Sequence, residues 1–262
     1  MMRPCPSRGF PVTEFEDRYA RASEMMTQFG LDALLVTSEQ NVRYFTGFDS
    51  QFWSSPTRPW FVIIPRSKPI VAVIPEIGYQ GMCSTWVKDI RTWEAPNPVD
   101  DGVTLLTQAL SEVAGLNRCI GAELGHEMVL RMPVLDFERV RKGLAPIVIK
   151  DGTPVIKKLR SIKSQNEIEK IKYICGIASD TFERLPKQIE IGESEREVCK
   201  KFRLDLLCNG ADSAPYVMGA SGFEGYNNIV MGPTDRVTQR GDVLIIDTGA
   251  VFDGYFCDFD RN

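Results

Sequence analysis

The spacing of apolar positions changes along the chain, and each change predicts an element. Phe15, Tyr19, Ala22, Met25, Met26 and Phe29 recur at helical intervals and Gly30 stops them. Thr13 and Glu16 precede that stripe as a capping box, so a helix is expected from Thr13 to the glycine. Residues 1–12 read as a loose arm. Residues 31–36 (LDALLV) form a buried-strand pattern, and 40–48 (QNVRYFTGF) read as a turn, a short extended piece and a glycine break. Two apolar runs, 61–65 and 69–74, flank Arg66-Ser67-Lys68 and predict a hairpin. Residues 103–113 fit a helix, 118–122 a strand, and 129–144 contain a further helix. This alternation predicts an α/β domain over 13–152.

Asp151-Gly152-Thr153-Pro154 is turn chemistry and marks the expected boundary. Ser164 with Glu167, and Ser194 with Glu197, then form two capping boxes. The first precedes a stripe of Ile168, Ile171, Ile174, Cys175, Ala178 and Phe182, and the second precedes Val198, Phe202, Leu206 and Leu207. Short strands follow at 216–220, 242–246 and 255–259. Helices first and antiparallel strands after predict an α+β domain over 153–262.

Composition narrows the function. Among 262 residues, 31 Lys and Arg against 35 Asp and Glu give a net charge of −4, which disfavours a general nucleic-acid binder. No apolar run is long enough for a membrane span. Seven cysteines are scattered without a CxxC pair, and the N-terminus lacks a secretory apolar stretch. A reducing cytoplasm is the expected setting. The one histidine, His126, sits in GAELGHEMVL and reads as a helix-end or surface residue. Chemistry that relies on several histidines is therefore disfavoured, and carboxylates come forward.

The carboxylates gather in 241–262, GDVLIIDTGAVFDGYFCDFDRN. An apolar strand ends on Asp247, Asp253-Gly254 is a strong hairpin signal, and a second strand returns. A two-residue turn places Asp247 opposite Asp260 and Gly249 opposite Asp258, whereas a longer loop over 251–254 places Asp247 opposite Asp258. Both registers keep Asp247, Asp258 and Asp260 on one face, because side chains alternate with period two. Clustered carboxylates repel, and a hard divalent cation is the simplest remedy. The alternative is a solvated hairpin whose acids pair with Arg261 and other bases.

Asp247, Gly249, Gly254, Tyr255, Asp258 and Arg261 together resemble the metal-binding hairpin of the pita-bread metallopeptidase family, which includes methionine aminopeptidase, Xaa-Pro aminopeptidase, prolidase and creatinase. RSIKSQNEIEKIKYICGIASD resembles the first helix of that catalytic domain, GPTDRVTQRGDVLIID its lead-in to the first Asp, and QNVRYFTGF a segment of the creatinase-like N-terminal domain. The resemblance implies an α/β creatinase-like domain followed by an α+β pita-bread domain that is incomplete here. It implies a dinuclear hydrolase of small peptide or amide C–N bonds, loaded with manganese foremost, or with Zn, Co or Fe. Asp247 and Asp258 are then two metal ligands, with Asp258 bridging the ions. A homodimer acting on a small peptide, with no nucleic acid and no membrane, completes the implied picture.

The chain also departs from that pattern. The family's remaining ligands, one His and two Glu, lie downstream of the second Asp, and this sequence stops four residues after Asp258. A partial site, inactive as it stands, is the expectation. Asp260 replaces the usual Thr or Ser. The family's peptidases carry a substrate-contacting His shortly before PTDR, where this chain has Asn227, Asn228 and Met231. That favours a relative acting on another small amide, as creatinase does, or a lyase-type relative acting on a zwitterion, with Asn228 as a candidate substrate contact. Trp53 and Trp60 are candidates to face a cationic substrate nitrogen. The rival from another class is a metal-free binding protein that keeps the fold.

Overall fold

A computed structural model describes residues 4–55 and 57–262. Residues 1–3 of the expected arm, and Pro56, lie outside the described residues. The chain divides into two compact units, one of Phe10–Ile162 and one of Lys163–Asn262 joined by the start of the chain up to Gly9.

The Phe10–Ile162 unit contains α1 (Val12–Gln28), β1 (Ala33–Val36), α2 (Glu39–Thr46), β2 (Phe61–Pro65), β3 (Val71–Pro75), α3 (Tyr79–Cys83), β4 (Asp89–Trp93), α4 (Val103–Val113), β5 (Cys119–Ala122), α5 (Val134–Leu144), β6 (Val148–Asp151) and α6 (Thr153–Ser161). Its sheet has the order β4-β3-β2-β1-β5-β6. The expected hairpin is present as antiparallel β2 and β3. Continuous apolar strands arise because both faces are covered. Leu34, Val36, Val62 and Ile64 pack with Met26 of α1, Val42 and Phe45 of α2, and Ile156 of α6. Their neighbours Ala33, Leu35, Phe61 and Ile63 pack on the other side with Leu106 and Leu110 of α4 and Val140 of α5.

Three local expectations differ from what is observed. The first helix begins at Val12 after Pro11, and no side chain caps it, so Thr13 and Glu16 form no capping box. Residues 40–48 are not extended: they lie within α2 and its end, which Gly47 closes in the left-handed conformation at φ 76°. Val42 and Phe45 are both buried, so tertiary packing overrides their extended propensity. The division between units falls after Ile162, beyond the Asp151–Pro154 turn, because Val155, Ile156 and Leu159 of α6 are buried in the core of the Phe10–Ile162 unit.

Glu123 ties that unit together. It is buried, and it accepts hydrogen bonds from the Thr37 hydroxyl (2.9 Å), the Ser38 backbone N–H (3.0 Å) and the Asn41 amide. Ser38 donates its hydroxyl to Glu123 (2.5 Å) and so makes no side-chain cap for α2. The carboxylate itself occupies the positive end of the helix.

The Lys163–Asn262 unit contains α7 (Gln165–Arg184), α8 (Glu195–Cys208), and the antiparallel sheet β7 (Ser213–Phe223), β8 (Asp242–Phe252) and β9 (Tyr255–Arg261). Both predicted capping boxes are present, Ser164 with Glu167 and Ser194 with Glu197. Ile174, Ile177, Val198 and Phe202 of the helices pack with Val217, Ile246, Ala250, Phe252 and Cys257 of the strands. Alternation along the strands then sends Asp247, Gly249, Asp258 and Asp260 to the opposite face.

Candidate metal centre

The β8–β9 register follows the two-residue turn: Asp247 pairs with Asp260 and Gly249 with Asp258. Asp253 at φ 49° and Gly254 at φ 78° both take the left-handed conformation that a tight hairpin turn of this type requires. Asp247, Asp258 and Asp260 therefore share one face. Among the described residues, no Lys or Arg forms an ion pair with any of them. Arg261 donates to the Asp260 backbone carbonyl (2.5 Å), not to its carboxylate, and its guanidinium lies over Phe259 and Phe182. Burial raises the Asp247 carboxyl above its ordinary value, and the charges of Asp258 and Asp260 raise it further.

Tyr216 completes this face. Its phenol donates to Asp258 Oδ1 at 2.6 Å, and the charge of Asp247 also acts on it. Burial, and then the hydrogen bond to Asp258, push its pKa up. Tyr216 lies on β7 and Asp258 on β9, with Gly249 of β8 between them. A Cβ on Gly249 would meet the Phe256 ring at 2.4 Å and the Tyr216 ring at 2.6 Å. Only glycine lets the tyrosine reach across the middle strand.

Two helices hold the surrounding backbone. Tyr255, at the start of β9, donates to Glu167 Oε1 (2.8 Å) within the α7 capping box. Glu195 at the start of α8 is buried and accepts four hydrogen bonds, from the N–H and hydroxyl of Ser221 (2.7 and 2.9 Å) and of Thr234 (3.0 and 2.6 Å). Arg236 then donates to both oxygens of Asp242 (2.7 and 2.9 Å), at the start of β8. The PTDR segment is thus a brace between α8 and the strand that carries Asp247.

The other candidates lie elsewhere. His126 is a surface residue, its side chain 88% exposed. Asn228 is exposed, and its carbonyl accepts from the Met231 N–H (3.3 Å). Trp53 and Trp60 are buried side by side in the core of the Phe10–Ile162 unit, with ring centroids 5.9 Å apart. Arg131 already lies 5.3 Å over the Trp53 ring, the position expected of a cationic substrate. Among the described residues, no group of three or more His, Cys, Asp or Glu forms a metal cluster.

The donor set suits a divalent cation in part. Carboxylate and phenol oxygens are hard ligands, and Asp247, Asp258 and Asp260, which among the described residues form no ion pair, lack the counter-charge that a cation supplies. Among the described residues, no helix is long and apolar enough to cross a membrane.

Comparison with known proteins agrees with this arrangement. The Creatinase/Prolidase N-terminal domain matches residues 18–162, and Metallopeptidase family M24 matches residues 169–262. The chain belongs to this creatinase/prolidase family of metallopeptidases: a creatinase-like N-terminal domain followed by a pita-bread domain spanned in part. It is 26% identical over 247 residues to the Xaa-Pro dipeptidase of Pyrococcus horikoshii, covering 94% of this chain and 63% of that protein. It is 28% identical to the uncharacterized peptidase YqhT of Bacillus subtilis, covering 89% and 61%. The chain therefore spans less than two thirds of the length of these curated relatives. Among solved structures, the prolidase of Thermococcus sibiricus superposes with a TM-score of 0.80 at 24% identity, covering 94% of this chain and 64% of that one. Dipeptidase PepE of Mycobacterium ulcerans gives 0.79 at 22%, covering 97% and 65%.

Proposed function

We propose that this chain is part of a dinuclear metallohydrolase of the Xaa-Pro peptidase type, and that Asp247 and Asp258 are two of its metal ligands. The observation that carries this reading is the shared carboxylate face of Asp247 and Asp258, with Asp258 held by Tyr216 and, among the described residues, neither acid neutralised by a base. Manganese is the expected metal, with Zn, Co or Fe as substitutes. A bound pair of such ions lowers the pKa of a water and so supplies a nucleophile at neutral pH. Asp247 and Asp258 would hold the ions, Tyr216 would orient Asp258, and the braces from Glu167 and Glu195 would keep the strands in place. The family's Xaa-Pro dipeptidases make a short proline-containing peptide the first substrate to try, with a cytoplasmic homodimer as the working form. The 262 residues alone are expected to be inactive, since Asp247 and Asp258 are the two ligands proposed among the described residues.

One observation favours a second reading. The stretch just before Pro233-Thr234-Asp235-Arg236, GFEGYNNIVMG, contains no histidine, and Asn228 stands exposed in it. An amide can bond a carbonyl but cannot exchange a proton near neutral pH. This fits a hydrolase of another small amide, or a lyase acting on a zwitterion.

Metal content and turnover of the parent protein test both readings. Stoichiometric Mn, Zn, Co or Fe with cleavage of Xaa-Pro dipeptides supports the first; metal with turnover only of a small amide or zwitterion supports the second. Absence of bound metal after reconstitution, or full activity in Asp258→Ala, would sink the metal assignment and leave a binding protein.

A further inference from the structure

The Asp253-Gly254 turn is held from two sides. Turn residues usually face solvent, yet Asp253 is only 5% exposed. From α7, the buried Lys170 ammonium lies 2.7 Å from Asp253 Oδ2. From the start of the chain, the Gly9 N–H donates to that same oxygen at 2.9 Å. The Asp253 N–H in turn donates to Asp212 Oδ2 (2.7 Å), and Asp212 is gripped by both Arg8 Nη1 (2.8 Å) and Arg8 Nη2. The Arg8 guanidinium stacks 4.7 Å over Phe252, the residue before the turn. Lys170 also donates to the Ser7 carbonyl. Residues 7–9 thus reach one turn at three consecutive positions: Gly9 bonds its carboxylate, Arg8 covers its flanking ring and grips the Asp212 that accepts its N–H, and Ser7 holds the Lys170 that pairs with it.

The geometry points to residues 7–9 as a strap that selects the register of the β8–β9 hairpin. Two registers satisfy the alternation of β9. In the observed one, Asp253 and Gly254 alone form the turn and Asp258 faces Gly249, under Tyr216. In the other, 251–254 form a longer loop and Asp258 faces Asp247. Both bury the same side chains against the helices, so packing discriminates little between them. The strap discriminates, because it engages Asp253 in the left-handed conformation that only the tight turn demands. Opening to the longer loop would release the Asp253 N–H from Asp212 and unstack Arg8 from Phe252. The ordering of the hairpin stands on these contacts alone. Its effect on metal spacing rests on the function proposed above.

Amide hydrogen exchange on the metal-free chain tests the strap without involving a metal, so failure of the metal reading leaves the result intact. Three proteins are compared with the parent: Arg8→Ala, Arg8→Lys, and a chain lacking residues 1–9. Peptides covering β8 and β9 are expected to exchange about tenfold faster in the shortened chain and by a smaller factor in Arg8→Ala. Arg8→Lys keeps the charge and should stay closer to the parent. Peptides from β1, β2 and α8 should not change. Unaltered hairpin exchange in both Arg8→Ala and the shortened chain overturns the proposal. Equal acceleration in the hairpin and in α8 also overturns it, since that is a general loss of stability.

Discussion

Tyr216 and Asp258 meet across an intervening strand, phenol to carboxylate at 2.6 Å, over a residue with no side chain. The contact sets where one Asp258 oxygen points before any ion arrives. Removing the phenol in Tyr216→Phe should leave the fold intact and weaken Mn²⁺ binding by about tenfold or more, the usual effect of losing a bond to a ligand carboxylate. Calorimetric titration of the parent protein and the variant reads this directly, and equal affinities would remove Tyr216 from the site.

Gly249→Ala attacks the same contact through space. The new methyl would stand 2.4 Å from the Phe256 ring and 2.6 Å from the Tyr216 ring, so both rings must move. Overpacking of this kind costs about 1–3 kcal/mol. A urea titration should show that loss, together with the weaker Mn²⁺ binding of Tyr216→Phe.

Glu195 gives a pH signature. Burial alone would raise its carboxyl, but the hydrogen bonds from Thr234 and Ser221 outweigh burial and hold it below its ordinary value of 4.5. A carboxyl depressed in the folded state stabilises the protein fully above its unfolded value, and that contribution fades as pH falls through the folded one. The urea midpoint should therefore drop below pH 4.5, and Glu195→Gln should flatten that drop while lowering stability at pH 7. The loss at pH 7 is expected to be about 2 kcal/mol, because the amide keeps one acceptor oxygen and turns an NH2 toward the buried donors of either Ser221 or Thr234. An unchanged acid limb in the variant would show that another group carries it.

Glu123 predicts a larger effect at neutral pH. Glu123→Ala strands buried donors from Thr37, Ser38 and Asn41 at the start of α2. About 3 kcal/mol of stability should go, measurable by denaturant unfolding of the Phe10–Ile162 unit. Glu123→Gln, which keeps one acceptor, should lose less.

These residues differ in how visible they are in the sequence. The hairpin is a local signal: Asp253-Gly254 sets the turn, period-two alternation sets the faces, and the three aspartates follow. Both helix starts at Ser164 and Ser194 are equally local, because a capping box lies within four residues. Tyr216 is not local. It reaches the site only through pairing of β7 with β8, and an irregularity between Ser213 and Tyr216 shifts that register. The available signal was Gly249, since a glycine inside a strand marks close approach of another group. Trp53 and Trp60 show the opposite difficulty. In a stretch broken by Pro and Ser they are candidates to face a cationic substrate nitrogen, while packing against Phe48 puts both rings in the core. Residues 40–46 fold as helix for a similar reason, since burial of Val42 and Phe45 outweighs local propensity.

The alternation that gathers Asp247, Asp258 and Asp260 also sets a rule for insertions and deletions. Lengthening β9 by one residue between Gly254 and Asp258 would turn both later aspartates toward Ile174 and Phe202, and that chain should not fold. Lengthening it by two would keep every acid on its present face and merely slide Asp258 along Asp247's strand. Length variation in this hairpin is therefore tolerated in even steps only, so the parity of its length can be read from any variant before its chemistry is measured.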